Sequence, residues 1–172
     1  MRKILGRRFF NRPALVVARA LLGKFLVRRR GRKRVALQIS EVEAYDGLRD
    51  RASHAHRGKT TRNAPMFGEA GRWYLYFVYG THWMLNIVTG PRGYPAAVLI
   101  RSAGEVQGPG RLTHALHLGG RENTQPSARK TGLWIEDRGE KPRRVQIARS
   151  PRIGVAYAGP VWAKKQYRFV LR

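Results

Sequence analysis

Apolar residues are dense in two segments whose lengths and flanks predict helices. The predicted helices are 11–23 and 111–118. In the first, Asn11 is the expected N-cap, Pro13 lies in the first turn, and Gly23 follows as the stop. Its apolar residues point almost all round, so we expect this helix to be well buried.

The remaining apolar runs are short, rich in β-branched and aromatic residues, and bounded by turn residues, which indicates strands. The predicted strands are 25–28, 35–45, 73–78, 83–89, 96–102, 133–136, 145–148, 153–157 and 168–171. The basic segment 29–34 contains a glycine and is predicted to be a hairpin tip, either a solvated turn or a phosphate contact. Short strands with two or three helices predict one α+β domain over residues 1–172.

A long polar stretch, residues 49–65, separates two of the predicted strands. It contains Ser, His, Gly, Thr, Asn and several Arg, without apolar periodicity, and we expect it to be a loop. Ordered loops longer than about 12–15 residues are usually functional. This segment is therefore a candidate for part of a binding or active site.

The net charge of the chain indicates what kind of partner it binds. The chain has 35 Lys and Arg against 10 Asp and Glu, a formal net charge of +25, which is typical of proteins that bind a polyanion, most often nucleic acid.

With 0 cysteines, disulfides, iron–sulfur clusters and thiol nucleophiles are excluded. The sequence has no signal-peptide core and no run of 18 apolar residues, so we expect a cytoplasmic protein of the bacterial cytosol or nucleoid, without membrane association.

Acidic residues are concentrated against this general charge, because four of the ten lie within residues 41–50. Regular alternation along the predicted strand, without a bulge, would place on one face Val35, Leu37, Ile39, Glu41, Glu43 and Tyr45. A face that changes from aliphatic to carboxylate enters a polar cleft, where a carboxylate can activate water. The alternative is that Glu41 and Glu43 pair with arginines and stabilise a basic domain, and composition and alternation alone favour it.

Aromatic residues are interleaved in the predicted strand 73–78. Tyr74 and Tyr76 share a face, which is either core or a platform on which bases stack. Tyr79 follows at the end of the strand, where it could protrude into a base step as a wedge.

Two histidines stand two residues apart in the polar stretch, a spacing that could bind metal on a strand. His54 and His56 have no third ligand nearby in sequence except Asp50. We therefore expect no metal site, and a neutral His54 that forms hydrogen bonds in a pocket.

Several spaced motifs, in one order, resemble those of the alkyladenine (3-methyladenine) DNA glycosylase family. The motifs are Ile39–Tyr45, Ala52–His54, Arg62–Phe67, Tyr74–Tyr76, Tyr79–Gly80, Leu85–Ile87, Val98–Arg101, Gly108–Leu112 and Arg152–Val155. The resemblance covers residues 9–170 and departs from the family pattern in the bulkier segment 80–84. It implies a single mixed domain with a curved antiparallel sheet, flanking helices and a protruding β-hairpin.

The resemblance also implies a catalytic group and a DNA contact. Glu43 matches the general base that activates a water to attack the sugar C1′. Arg101 matches a group near this water and the phosphate, and Tyr79 matches the residue inserted into the duplex to fill the gap.

Four further positions match the pocket for the damaged base. Tyr45 and Tyr76 match the aromatic residues that stack on the two sides of the flipped base. His54 matches a residue that reads the base and the adjacent backbone, and Asn86 matches a wall residue that discriminates against the exocyclic amine of guanine.

These matches imply a DNA glycosylase that acts on double-stranded DNA containing damaged purines, as a monomer and with no metal or other cofactor. No lysine lies within residues 41–54, so we expect no Schiff-base lyase step and an abasic site left uncut. The preferred lesion among 3-methyladenine, 7-methylguanine, hypoxanthine and ethenoadenine stays open. The alternatives are a non-enzymatic basic nucleic-acid-binding module and, ranked last for lack of a Gly-rich phosphate loop, a hydrolase of small anionic substrates.

Overall fold

Short strands dominate the structure, a computed structural model that describes residues 2–172 apart from the side chain of Arg144. The strands are β1 Lys3–Ile4, β2 Phe25–Arg30, β3 Lys33–Asp46, β4 Trp73–Val78, β5 His82–Val88, β6 Ala96–Ala103, β7 Leu133–Asp137, β8 Ile147–Ser150 and β9 Arg168–Leu171. They form one sheet with the order β1-β7-β2-β3-β6-β5-β4, and β9 pairs with both β3 and β8. Each of these pairs is antiparallel, so the predicted α+β class is confirmed.

Helices in the described residues are short. The α-helices are α1 Arg7–Phe10, α2 Ala14–Leu21, α3 Pro109–Ala115 and α4 Gly159–Ala163. The 3-10 helices are Ala64–Phe67, Gly120–Glu122, Arg129–Thr131, Arg144–Gln146 and Ala156–Ala158. Within residues 2–172 no helix is both long and apolar enough to cross a membrane.

The long strand β3 connects two parts of the sheet. Its first part pairs with β2, through a hairpin whose last pair is Arg30 with Lys33, and its second part pairs with β6 and β9. Between the two parts the register with β6 shifts twice, so that Ser40 in β3 and Arg101 in β6 each lack a partner across the ladder. A bulge of this kind re-aims the side chains that follow it.

This bulge corrects the predicted alternation along β3. Ile39, Val42 and Ala44 are fully buried in the main core, whereas Glu43 and Tyr45 line a cavity. The prediction that Glu43 continues the face of Ile39 was therefore wrong, because the extra residue changes the parity.

The main hydrophobic core lies on the side of the sheet covered by α2. The helix buries Val17, Ala18 and Leu21 completely and packs against β3 and β6. Among the largest fully buried side chains are Trp73 and Phe169. Since the core occupies this side, the opposite side of the same strands is available for a binding site.

The predicted elements match the observed ones with local corrections. The first helix begins at Ala14 with Pro13 as its N-cap, and Asn11 instead ends α1. Val35, predicted to face inward, is 45% exposed close to the hairpin tip. The predicted strand 153–157 was wrong, because Gly154 has a φ of 73° that breaks an extended chain and the 3-10 helix Ala156–Ala158 follows.

Candidate active site

One row of residues crosses four strands on the side opposite the main core. Glu43 pairs with Leu99, Leu99 with Asn86, and Asn86 with Tyr74. Residues that face each other across a ladder project from the same face of the sheet. The register therefore brings a carboxylate, an amide and a phenol together from segments far apart in sequence.

This row forms part of a cavity of about 350 Å³. The structure places all seven sequence-predicted site residues on its lining: Glu43, Tyr45, His54, Tyr76, Tyr79, Asn86 and Arg101. Among the lining residues in the described chain, Glu43 is the only acid. The cavity is thus an aromatic and aliphatic space with one carboxylate in its wall.

Glu43 is held by three groups. The backbone N–H of Ile153 donates to Oε1 at 2.8 Å, and the Tyr45 hydroxyl donates to Oε2 at 2.9 Å. A guanidinium nitrogen of Arg101 lies 3.4 Å from Oε1. The side chain is 0% exposed, so its orientation is fixed by these contacts. Burial and the neighbouring Glu43 raise the pKa of Tyr45 far above its ordinary value, which keeps the phenol protonated as a donor.

Arg101 is oriented by a second carboxylate. Glu41 Oε1 accepts from Arg101 Nε at 3.0 Å and from Arg168 at 2.9 Å, and its Oε2 accepts from the Ser102 hydroxyl at 2.8 Å. Burial alone would raise the pKa of Glu41, but the hydrogen bonds from Arg168, Ser102 and Arg101 hold it below its ordinary value. Both Glu41 and Glu43 pair with arginine, which is what the alternative of two acids that only stabilise a basic domain predicts. Of the two, only Glu43 lines the cavity.

A cluster of aromatic rings forms another wall. The rings of Tyr74 and Tyr76 are 5.2 Å apart, and that of His54 lies edge-on to Tyr76 at 4.4 Å. His54 Nδ1 is 3.0 Å from the Tyr74 hydroxyl, and its carbonyl accepts from the buried Asn63 amide. Burial raises the pKa of Tyr76, and the partial burial of His54, with the charge of Arg62, lowers its pKa, so both rings are neutral at pH 7.

Asn86 is fixed by the backbone. Its amide nitrogen donates to the carbonyls of Tyr74 at 3.1 Å and Met84 at 3.2 Å. With both amide hydrogens used, the side chain has only its oxygen to offer to the cavity.

Tyr79 occupies the tip of the hairpin between β4 and β5. It is 90% exposed and has a φ of 53°, a left-handed conformation that residues other than glycine rarely adopt. The hairpin therefore presents an aromatic ring to solvent at the rim of the cavity.

Comparison with models of known protein families assigns the sequence to a family. A family model for methylpurine-DNA glycosylases matches residues 8–106 and 104–172. The chain belongs to the methylpurine-DNA glycosylase family. It is accordingly a DNA glycosylase, a hydrolase of N-glycosidic bonds that acts in base excision repair.

Relatives of this glycosylase match over nearly its whole length. A protein of Anaeromyxobacter dehalogenans (strain 2CP-C), named "Putative 3-methyladenine DNA glycosylase", is 46% identical over 98% of this chain and 83% of its own. Proteins with the same name from Myxococcus xanthus and Methanocella arvoryzae are each 42% identical, over 98% and 91% of this chain and 90% and 86% of their own. The resemblance inferred from the motifs is thereby confirmed.

In and beside the candidate site lie groups that the sequence did not single out. Arg152 forms two hydrogen bonds with Asp50, at 2.5 and 2.8 Å, and both side chains are 0% exposed. Tyr157 lines the cavity and donates to the Ala52 carbonyl at 2.9 Å. Ile153 contributes only its backbone N–H, which no side-chain pattern reveals. The motif Arg152–Val155 was the one signal that pointed to this segment.

The two histidines of the polar loop have separate partners. His56 Nδ1 lies 3.0 Å from the Leu48 carbonyl, away from the contact that His54 makes with Tyr74. Within residues 2–172 no three His, Cys, Asp or Glu side chains gather in a way that could hold a metal ion.

Proposed function

We propose that this chain is a monofunctional glycosylase that flips an alkylated or deaminated purine out of duplex DNA and hydrolyses its N-glycosidic bond, leaving an abasic site. The observation that carries the proposal is the single carboxylate, Glu43, in the wall of an aromatic cavity of about 350 Å³. The family and the names of the relatives support the class of substrate, damaged purines in DNA.

Binding begins with the phosphates of the duplex. The excess of 25 positive charges attracts the backbone and makes binding fall as salt rises. Tyr79 enters the base stack, and the base that it displaces turns into the cavity, at a cost of a few kcal/mol that is smallest for a poorly paired base.

The cavity holds the extruded base between the rings of Tyr45 and Tyr76, with His54 and Asn86 at its edges. Stacking on aromatic rings stabilises any base by about 1–3 kcal/mol. A base alkylated at N3 or N7 carries positive charge, which the faces of these rings attract further. The Asn86 oxygen, fixed by the backbone, forms part of the wall that selects among purines.

Glu43 then acts on water. A water oxygen attacks C1′, its proton passes to the carboxylate, and the C1′–N bond breaks with its electron pair going to the base. A cationic base leaves as a neutral molecule, whereas a neutral base such as hypoxanthine leaves as an anion that takes a proton from water. The carboxylate stabilises the positive charge that develops on the sugar. Because Glu43 is 0% exposed before DNA binds, a small shift of Arg101 or Tyr45 admits this water when the base enters.

The reaction ends at the abasic site. None of the cavity-lining residues in the described chain is lysine, so no amine is available to form a Schiff base with the sugar. One cavity accepts one base, and we propose that a single copy of the chain, in the cytoplasm, is sufficient.

A duplex with one hypoxanthine or ethenoadenine tests the proposal. Glu43→Gln keeps the shape of the side chain and removes the base, so we expect the single-turnover rate of base release to fall by about 10²–10⁴. Glu105→Gln is the matched control, since Glu105 is exposed and outside the cavity, and it should release base at the wild-type rate.

Equal base release by wild type and Glu43→Gln would refute the assigned role. Absence of base release by the wild type, with equal affinity for damaged and undamaged duplex, would favour the non-enzymatic nucleic-acid-binding module.

A further inference from the structure

A buried arginine lies behind one of the two rings that would sandwich the base. The guanidinium carbon of Arg152 is 4.7 Å from the centre of the Tyr45 ring and 5.2 Å from that of Tyr167. Tyr45 lines the cavity, whereas Arg152 does not. One face of Tyr45 is thus covered by a cation, and a purine would stack on the side that the cavity leaves free.

Asp50 forms a buried ion pair with Arg152. Its two oxygens accept from both terminal nitrogens of Arg152, and the backbone N–H groups of Asp46 and Ala52 donate to the same carboxylate at 3.1 Å. Arg152 also donates to the carbonyl of Ala44 at 2.9 Å. The pair is fully buried, so neither charge is screened by solvent.

Three acids near the cavity, Glu41, Glu43 and Asp50, are matched to arginines in this way, although the chain as a whole has a charge of +25. Glu41 accepts from Arg101 and Arg168, and Glu43 lies 3.4 Å from Arg101. These paired arginines therefore present no net repulsive charge to what enters the cavity, whereas Arg62, 5.5 Å from the centre of the Tyr76 ring, forms no ion pair within residues 2–172 and has the same effect in every variant compared below.

We propose that Asp50 is a specificity-determining residue of this glycosylase: by neutralising Arg152 behind Tyr45, it allows the cavity to accept a positively charged purine. This inference rests on the proposed function, since it concerns the base that the cavity binds. Asp50 does not line the cavity and acts through Arg152 and the field that Arg152 produces.

The size of the effect follows from distance. A purine stacked on the free side of Tyr45 would lie roughly 8 Å from the guanidinium carbon. At an effective dielectric constant of about 20, an unbalanced positive charge at this distance lowers the occupancy of a cationic base by roughly thirtyfold. A neutral base has no net charge and is affected much less.

The test compares two lesions in the same duplex context: 7-methylguanine, which is cationic, and hypoxanthine, which is neutral. The measured quantity is the ratio of their single-turnover excision rates for wild type, Asp50→Asn, Arg152→Gln and the double variant. Because both lesions are cut by the same preparation, the ratio does not depend on how much of a variant is folded.

Asp50→Asn is expected to lower the ratio by about thirtyfold, since it leaves the cation unbalanced. The double variant removes both charges and leaves no uncompensated charge in the interior, so it should fold and return the ratio to within about twofold of wild type. Arg152→Gln removes the cation and leaves the Asp50 carboxylate unbalanced behind Tyr45, so it should raise the ratio.

A purely structural role would reduce both rates together in every variant. The proposal is overturned if Asp50→Asn leaves the ratio unchanged, or if the double variant or Arg152→Gln lowers the ratio as Asp50→Asn does. Should Asp50→Asn fail to fold, Arg152→Gln decides: a raised ratio supports the proposal, and an unchanged ratio, which a purely structural role predicts, overturns it. If the wild type cuts neither lesion, the proposed function fails; if it cuts both and the ratios do not move, only the role of Asp50 fails.

Discussion

The two faces of β3, β6, β5 and β4 carry different kinds of residue on the same four strands. One face contributes Val42, Ile100 and Ile87 to the main core, where each is 0% exposed. The other face contributes Glu43 and Asn86, which line the cavity. Residues that are adjacent in the chain thus have separate tasks, because successive side chains in a strand point to opposite sides.

The residues of the core face stabilise the fold, whereas those of the cavity face are the candidates for binding and catalysis. On the core face, apolar side chains contribute to the free energy of folding in proportion to the area that they bury. On the cavity face, polar groups are fixed by hydrogen bonds, and several aromatic rings stay partly open. Substitutions on one face should therefore change folding, and substitutions on the other should change the handling of DNA.

Ile87→Ala should produce the largest change on the core face. Removal of a fully buried side chain is expected to lower the free energy of unfolding by about 2–5 kcal/mol, measured by urea denaturation. Ile87→Val, which removes one methylene group, should cost about 0.5–1.5 kcal/mol. The excision rate per folded molecule should stay at the wild-type value, and a slow but fully stable Ile87→Ala protein would break the comparison.

Tyr76→Ala tests the cavity face. The loss of a stacking ring should weaken the binding of lesion duplex by about 1–3 kcal/mol, which is roughly 5-fold to 150-fold in Kd. The measurement uses the Glu43→Gln background, so that binding is not followed by excision. Tyr76→Phe keeps the ring and should bind nearly as the parent does; equal weakening by Phe and Ala would show that the ring is not the group that matters.

The smallest expected effect is a change in the free energy of unfolding with pH, caused by His54 on the cavity face. His54 has a pKa below its ordinary 6.5, because partial burial and Arg62 disfavour its charged form. The unfolded state then binds more protons, so stability is complete above about pH 6.5 and decreases as the pH falls toward the folded-state pKa. Solvent on the exposed edge of the ring limits the effect.

Urea denaturation at several values between pH 7.5 and 5.5 measures this slope. His54→Gln has no group that titrates in the range and should flatten this part of the profile. A profile that keeps its full slope in His54→Gln would assign the dependence to another group.

Local patterns were sufficient to predict most strands, but only some of the residues that meet in the cavity. Tyr74 and Tyr76 share a face because β4 is regular over its whole length, and periodicity alone gives this result. The resemblance supplied Glu43, Asn86 and Arg101, whose proximity depends on strand register across the sheet and cannot be deduced from one strand.

The errors have a common physical origin. A bulge at Ser40 and a left-handed glycine at Gly154 each interrupt an apparently regular strand, and both depend on tertiary pairing more than on local composition. The Asp50–Arg152 pair joins residues 102 positions apart, so the pairing of the two could not be deduced from their neighbours in sequence.

The bulge at Ser40 has a further consequence for the kinds of sequence change that this fold tolerates. Point substitutions at Ser40 keep the count of residues between Ile39 and Glu43, but loss of one codon there would turn the carboxylate into the aliphatic interior and bring Val42 to the wall of the cavity. At the solvated tip around Gly31, the same loss would alter only the length of a turn. Related sequences should therefore vary in length at the tip and keep the count fixed between Ile39 and Glu43.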